Sequence, residues 1–223
     1  MQSGKPSKVW IVLGKYLLAY CACKRILANM TEARDKILDV TVRIFAEAGY
    51  HGTTTRRIAH EAGVNEVTLF RHFGSKEALL HAALAQVHRE IIAPFPPDRA
   101  DPQEALVEWA LEFHGRLCER RQLIRRLLGE IVERPQLAAN PCEGAGDEMQ
   151  HVAGFLEGVR TTGVLAADAD CSMGAHVLVS ALFSDAIWRD LMPTPVETGA
   201  FVRATVRCVL QGLGYRAAAG ATA

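Results

Sequence analysis

Gly52 to Lys76 reads GTTTRRIAHEAGVNEVTLFRHFGSK, two short helical patterns hinged at a glycine, with a third beginning at the end. Thr54 is placed to cap a helix over Thr55 to Ala62, its hydroxyl accepting a backbone N–H that the first turn leaves without a partner. Gly63 follows, where a chain leaving a helix commonly turns left-handed and only glycine does so without a Cβ clash. Asn65 repeats the cap for a second helix and Ser75 for a third, while Val64 plugs the corner. Ile58, Ala59, Ala62, Leu69 and Phe73 are left to pack the first two helices together. The pattern predicts a helix-turn-helix, whose later helix offers its first turn to the major groove of DNA.

Outside that small core the side chains are polar and mostly basic. Arg56 and Arg57 open the earlier helix, Glu66, Val67 and Thr68 the later one, and Arg71 and His72 follow, with Lys76 just past Ser75. Helix N-termini present free N–H groups and a positive dipole end, so Thr54, Thr55 and the start at Ser75 suit phosphate oxygens, with Lys76 adding a charge. Arg56 and Thr68 are the expected base readers. The predicted contact set is Thr54, Thr55, Arg56, Arg57, Asn65, Glu66, Val67, Thr68, Phe70, Arg71, His72 and Lys76. A glycine-hinged hairpin with four basic residues is by itself also an ordinary solvated face, so the wider order of residues has to decide.

That order resembles the TetR family of bacterial transcriptional regulators from about Ala33 to Leu84. The residues that carry it are Ile44-Phe45-Ala46 to Gly49-Tyr50, Thr53-Thr54, Ile58-Ala59, Ala62-Gly63-Val64, Thr68-Leu69-Phe70, His72-Phe73 and Ser75 to Leu80. The resemblance implies a DNA-binding head followed by a helical effector-binding and dimerisation domain. It also implies a tyrosine with a phosphate-touching hydroxyl where Phe70 stands, and a neutral or basic residue where Glu66 stands. The Glu66 carboxylate is either turned away from DNA or accepts from a cytosine amino group.

The 223 residues are 49% hydrophobic and 22% charged, enough for a core and no mark of disorder. Acids and bases balance at 25 each, but unevenly along the chain: residues 1–30 hold five basic residues and no acid, and from residue 93 onward 12 basic face 17 acidic. An acidic second half is held away from phosphate. Val9 to Cys23, VWIVLGKYLLAYCAC, resembles a signal-peptide core behind a basic start, but it is short for a bilayer and Lys15 interrupts it. Residues 1–29 are expected to be an over-long start ahead of Met30 and the Thr31 cap, with a membrane tether as the competing reading. The head is expected over 30–92, beginning with a helix from Glu32 that Gly49 stops.

Pro94, Pro96, Pro97 and Pro102 then break the helical pattern. Helices are expected at about Gln103–Glu119, Gln122–Glu133, Gly146–Thr162, Asp170–Leu191 and Pro195–Leu213, giving an all-α second domain over 93–215 and a tail from 216. The helix around Ala175 to Trp188 is apolar nearly all round, and the resemblance implies that it and Phe201 to Leu213 pair with their copies in a homodimer, Leu178 and Val209 lying in the interface, the alternative being an ordinary monomeric core. Trp109, Phe113, His114, Leu117, Leu128, Phe155, Val159, His176, Ser180 and Phe183 are the candidate lining for a small, largely apolar effector, although core packing explains any one of them equally well.

No CxxC pair, HExxH or phosphate-binding glycine loop occurs, and Ser180 has no evident base, so no catalytic residue, cofactor or metal is expected. Six unpatterned cysteines fit a reducing cytoplasm, Cys142 in its loop being the one candidate for a redox role. The sequence thus predicts a cytoplasmic, homodimeric repressor released from a palindromic double-stranded DNA operator by a small ligand, with no membrane partner. The alternative is a constitutive or architectural DNA-binding protein without effector.

Overall fold

The computed structural model describes residues 32–96, 101–137, 147–194 and 196–216. The leader, the Thr31 cap, the loop with Cys142 and most of the tail lie outside them. Among the described residues every regular element is helical: α1 over residues 32–52, α2 (Thr55–Ala62), α3 (Glu66–Phe73), α4 (Lys76–Ile91), α5 (Pro102–Glu119), α6 (Arg121–Glu133), α7 (Asp147–Thr161), α8 (Cys171–Trp188) and α9 (Thr198–Gly212). Short 3-10 turns follow α6 at Pro135–Leu137 and α8 at Arg189–Leu191.

Local chemistry sets most of the boundaries. The carboxylates of Asp101, Asp170 and Glu197 accept first-turn N–H groups of α5, α8 and α9, and Pro102 sits where a missing N–H costs nothing. Gly49 does not stop α1 as expected. It takes φ +65°, and the chain makes one more turn to residue 52 before Thr53 closes it, donating both its N–H and its hydroxyl to the Gly49 carbonyl.

Two apolar clusters result. Ile37, Leu38, Ile44, Ile58, Ala59, Ala62, Leu69, Leu79 and Ala83 pack α1 to α4 into the head. The larger one joins α5 to α9 and takes in Phe45 together with Leu80, Leu84, Val87 and Ile91 of α4. So α4 gives one face to each cluster, and the proline segment after it breaks the helix without breaking the packing. Here α5 packs on α8 and α9, and α7 lies along α8.

The interior of the second half is filled by an aromatic ladder. Phe155 stacks on Phe95 at 4.2 Å between centroids, Phe95 on Trp109 at 5.3 Å, and Trp109 on Phe113 at 4.9 Å. The buried Trp109 indole donates to the Ala93 carbonyl at 2.8 Å, which anchors the proline segment against α5.

In α8, Leu178, Val179, Leu182, Ala186 and Ile187 are buried. Ser172, His176, Ser180 and Ser184 recur every fourth residue on its exposed side. Cys171–Leu191 is long and apolar enough to cross a membrane by composition, but its apolar side is the core on which α5, α7 and α9 pack. Leu178 and Val209, expected between subunits, are buried within the single chain.

Candidate DNA-binding surface

The hinge is built as its residues dictate. The Thr54 hydroxyl accepts the Arg57 N–H at 3.2 Å, Asn65 Oδ1 accepts from Val67 at 2.9 Å, and Ser75 Oγ from Ala78 at 3.0 Å. Gly63 sits at φ +70°, ψ +33°, and its N–H closes α2 while Val64 bonds back to Ala59. Leu69 alone of α3 is fully buried, which leaves the rest of the helix outward.

On that outer side Val67 is 73% exposed and Phe70 45%, with Thr54, Arg56, Asn65 and Arg71 also exposed and Thr55, Thr68 and His72 half-buried. An exposed valine on the first turn of α3 suits a thymine methyl. Glu66 is drawn back toward α2, where its carboxylate accepts the Thr55 hydroxyl at 3.3 Å.

Two of the four basic residues in the motif are already engaged. Arg57 donates to Glu61 at 2.7 Å and to Glu47 at 2.8 Å, and Arg43 shares Glu61 at 2.6 Å, so the cluster is close to neutral. Hydrogen bonds from Arg57 and then Arg43 hold the Glu61 carboxyl below its usual range.

Lys76 departs further from the expected outward phosphate contact. Its ammonium donates to the Tyr50 carbonyl at 2.6 Å and lies 3.7 Å from the centre of the Tyr50 ring, and burial lowers its pKa. The cation is folded inward over α1, where a backbone carbonyl and a π face replace its water. The phosphate-facing features that remain at this corner are the free N–H groups of α4 and the Ser75 cap.

Tyr50 is thereby the centre of a joint that sequence reasoning missed. Its hydroxyl donates to Glu77 at 2.6 Å, its N–H to Glu130 of α6 at 2.9 Å, and the Arg134 guanidinium lies 5.1 Å from its ring. Arg134 pairs with Glu130 at 2.6 Å and also meets His51. Gly49 is needed twice here, for its left-handed φ and because a Cβ would strike Glu130 Oε1.

The candidate effector lining is not assembled into one wall. Trp109, Phe113 and Phe155 are rungs of the ladder, and Leu117, Val159 and the partly buried Phe183 pack in the same core. Leu128 is 38% exposed on α6, and His176 and Ser180 point out from α8, because the small polar residues at four-residue spacing mark the side of α8 away from the core. His114 is buried but engaged, its Nε2 lying 2.8 Å from Asp185 Oδ2. Open clefts lie elsewhere: about 580 Å³ between α1 and α6 beside Arg125, Arg126 and Glu130, and about 340 Å³ between α8 and α9. Among the described residues no group of three or more His, Cys, Asp or Glu side chains is placed to hold a metal ion.

A capped, glycine-hinged helix pair with an exposed second helix, carried on a helical body, defines a helix-turn-helix DNA-binding regulator. Residues 37–83 match the model for bacterial regulatory proteins of the tetR family. The HTH-type transcriptional regulator UidR of Escherichia coli (strain K12) is 26% identical over 164 residues, 71% of this chain and 84% of the relative. The HTH-type transcriptional repressor Rv3405c of Mycobacterium tuberculosis (strain ATCC 25618 / H37Rv) is 29% identical over 175 residues, 76% of this chain and 79% of that one. A TetR-family regulator from Rhodococcus sp. has the same fold, with a TM-score of 0.70 at 18% identity over 81% of this chain and 99% of that chain. Residues 37–83 thus form a head of the tetR-family type, and over most of the chain the likeness is to HTH-type transcriptional regulators.

Proposed function

We propose that the protein is a cytoplasmic, homodimeric repressor that leaves a palindromic operator when a small, largely apolar molecule enters the C-terminal helices. The observation that carries the dimer is the face α8 leaves uncovered. Met173 is 56% and Val177 49% exposed, and they line the apolar groove between α8 and α9 together with Gly174, Cys208 and Val209. A second copy covers such a face by twofold symmetry, and two heads related by that axis read two half-sites one helical turn apart, roughly 34 Å. Repression is supported by the likeness to Rv3405c, a transcriptional repressor, and a small effector by the likeness to the tetR family.

The aromatic ladder suggests where the effector acts. Phe95 is only partly buried and lies just past α4, so a planar molecule that takes its place between Phe155 and Trp109 pulls on the segment joining α4 to α5. The filled interior also supports the second reading, a constitutive DNA-binding protein. Sedimentation of Val177→Glu tests the dimer: a monomer is expected, and a dimer would move the interface elsewhere. Planar aromatic compounds titrated against Trp109 fluorescence, with and without DNA, test the effector. Linkage requires weaker binding to the DNA-bound form by the same factor that DNA is weakened, about 5- to 150-fold. Compounds that bind both forms equally leave the constitutive reading standing.

A further inference from the structure

Cys118 is half-buried at the end of α5, one helical turn after His114. Its Sγ lies 3.7 Å from His114 Nδ1, while His114 Nε2 lies 2.8 Å from Asp185 Oδ2 on α8. A carboxylate only accepts, so Nε2 carries the ring proton of the neutral imidazole and Nδ1 is left as an acceptor facing the thiol. Asp185 is itself fixed by Arg189, whose Nε donates to the same oxygen at 2.8 Å. On the other side stands Arg121 at the start of α6, pinned by its bond to the Ala186 carbonyl at 2.7 Å and by Asp190 at 3.4 Å. A hydrogen bond with Cys118 is the first cause that raises the Arg121 pKa above the arginine norm.

Thiol, base and orienting carboxylate in series, with a guanidinium beside the sulfur, are the parts of an activated nucleophile. DNA binding and effector entry use none of them in this arrangement. We infer that Cys118, His114 and Asp185 form a peroxide-reactive thiol centre that acts on the DNA-binding head through α6. The thiol proton passes to His114 Nδ1, and the thiolate attacks one oxygen of hydrogen peroxide. The S–O bond forms as the O–O bond breaks, and the leaving hydroxide takes the proton back from Nδ1 as water. Sulfur loses two electrons to the peroxide and ends as the sulfenic acid. Partial burial favours so small an oxidant, and Arg121 and the imidazolium face the departing oxygen. The added oxygen then stands against Arg121, on the helix whose far end holds Tyr50 through Glu130.

The test uses the full chain, reduced and then exposed to hydrogen peroxide with dimedone, adducts being located by mass spectrometry. Cys118 is expected to be trapped, faster than free cysteine at the same pH. Asp185→Asn, whose amide would donate to Nε2 and shift the ring proton to Nδ1, is expected to slow trapping at least about tenfold. His114→Gln should do the same, and circular dichroism on both variants confirms the fold. An untrapped Cys118, or an undiminished rate in folded Asp185→Asn, overturns the chemistry. In the second arm, peroxide should weaken binding to a duplex selected from random sequence by the reduced protein, at least about fivefold in the wild type and not in Cys118→Ser. Equal affinity before and after oxidation overturns the coupling. That arm rests on the DNA-binding reading, whose own failure would show earlier, as no duplex selected by the reduced protein.

Discussion

Glu130→Ala should weaken the junction between the head and α6 more than any single change on the DNA face. Glu130 Oε1 accepts the Tyr50 N–H at 2.9 Å and Oε2 meets Arg134 at 2.6 Å, with side-chain exposures of only 14% and 18% for the pair. A hydrogen bond to a charged group contributes about 1.5–3 kcal/mol, and the lost carboxylate also leaves Arg134 with the exposed Glu133 as its remaining carboxylate. Arg134 then shares the Tyr50 ring with a second cation, Lys76, with less negative charge nearby. The loss should total roughly 2–4 kcal/mol, a fall in Tm of about 5–12 °C for a chain of this size. Glu130→Gln keeps a carbonyl for Tyr50 and should cost about half as much. Urea denaturation followed by circular dichroism measures both. A Glu130→Ala variant within about 0.5 kcal/mol of wild type, or a glutamine variant as unstable as the alanine one, would refute the joint.

Other expectations follow from the same contacts. Lys76→Ala should lower stability while leaving the salt dependence of DNA binding nearly unchanged, whereas Arg56→Ala should cost about 1–3 kcal/mol of DNA affinity with the fold intact; fluorescence anisotropy against salt, with melting curves, separates them. Because Arg57 and Lys76 are engaged within the chain, a dimer applying Arg56 and Arg71 from each head should show a log–log salt slope of about −4; a slope near −7 would mean that all four basic residues contact DNA. Phe70→Tyr restores a hydroxyl on an exposed ring and should tighten binding roughly tenfold without changing that slope, as filter binding would show. The Tyr50 hydroxyl is the first cause that holds Glu77 below its ordinary value of 4.5. The folded head therefore binds fewer protons than the unfolded chain just below that pH, and the contribution is complete above it and lost as pH falls through the depressed value. Urea midpoints between about pH 6 and pH 3.5 should fall less steeply in Glu77→Gln.

What the sequence disclosed was local. Caps at Thr54, Asn65 and Ser75 and the left-handed turn at Gly63 depend on residues within four positions of one another, and they stand where expected. The engagement of Lys76 was illegible, because it depends on a carbonyl 26 residues earlier and on Glu130, 80 residues after Tyr50. The pairing of His114 with Asp185 spans 71 residues and was hidden for the same reason. A signal was overlooked in α8, where Ser172, His176, Ser180 and Ser184 make a polar stripe at helical spacing. High mean hydropathy masked it, and with it the outward direction of two candidate lining residues.

The inward lysine changes how the two halves of the molecule relate. A lysine free in solvent would make the head an independent basic module, tethered by a proline segment. Instead its charge, the Tyr50 ring and Glu130 tie the end of α1, the start of α4 and α6 into one polar joint. On the opposite side α4 lays Leu80, Leu84, Val87 and Ile91 into the larger core. The head is thus held at two points, one apolar along α4 and one charged under Tyr50. A shift of α6 relative to α5 cannot leave both satisfied. Either the ion pair at Glu130 breaks or α1 and α4 rotate with it, and the second course alters the angle at which α3 is presented to DNA. Arg121 and Arg125, which donate to the Ala186 and Ile187 carbonyls from the opening turns of α6, fix the other end of that helix to α8. Helix α6 thus links the end of α8 to the Tyr50 joint by contacts that do not include the hinge at Gly63.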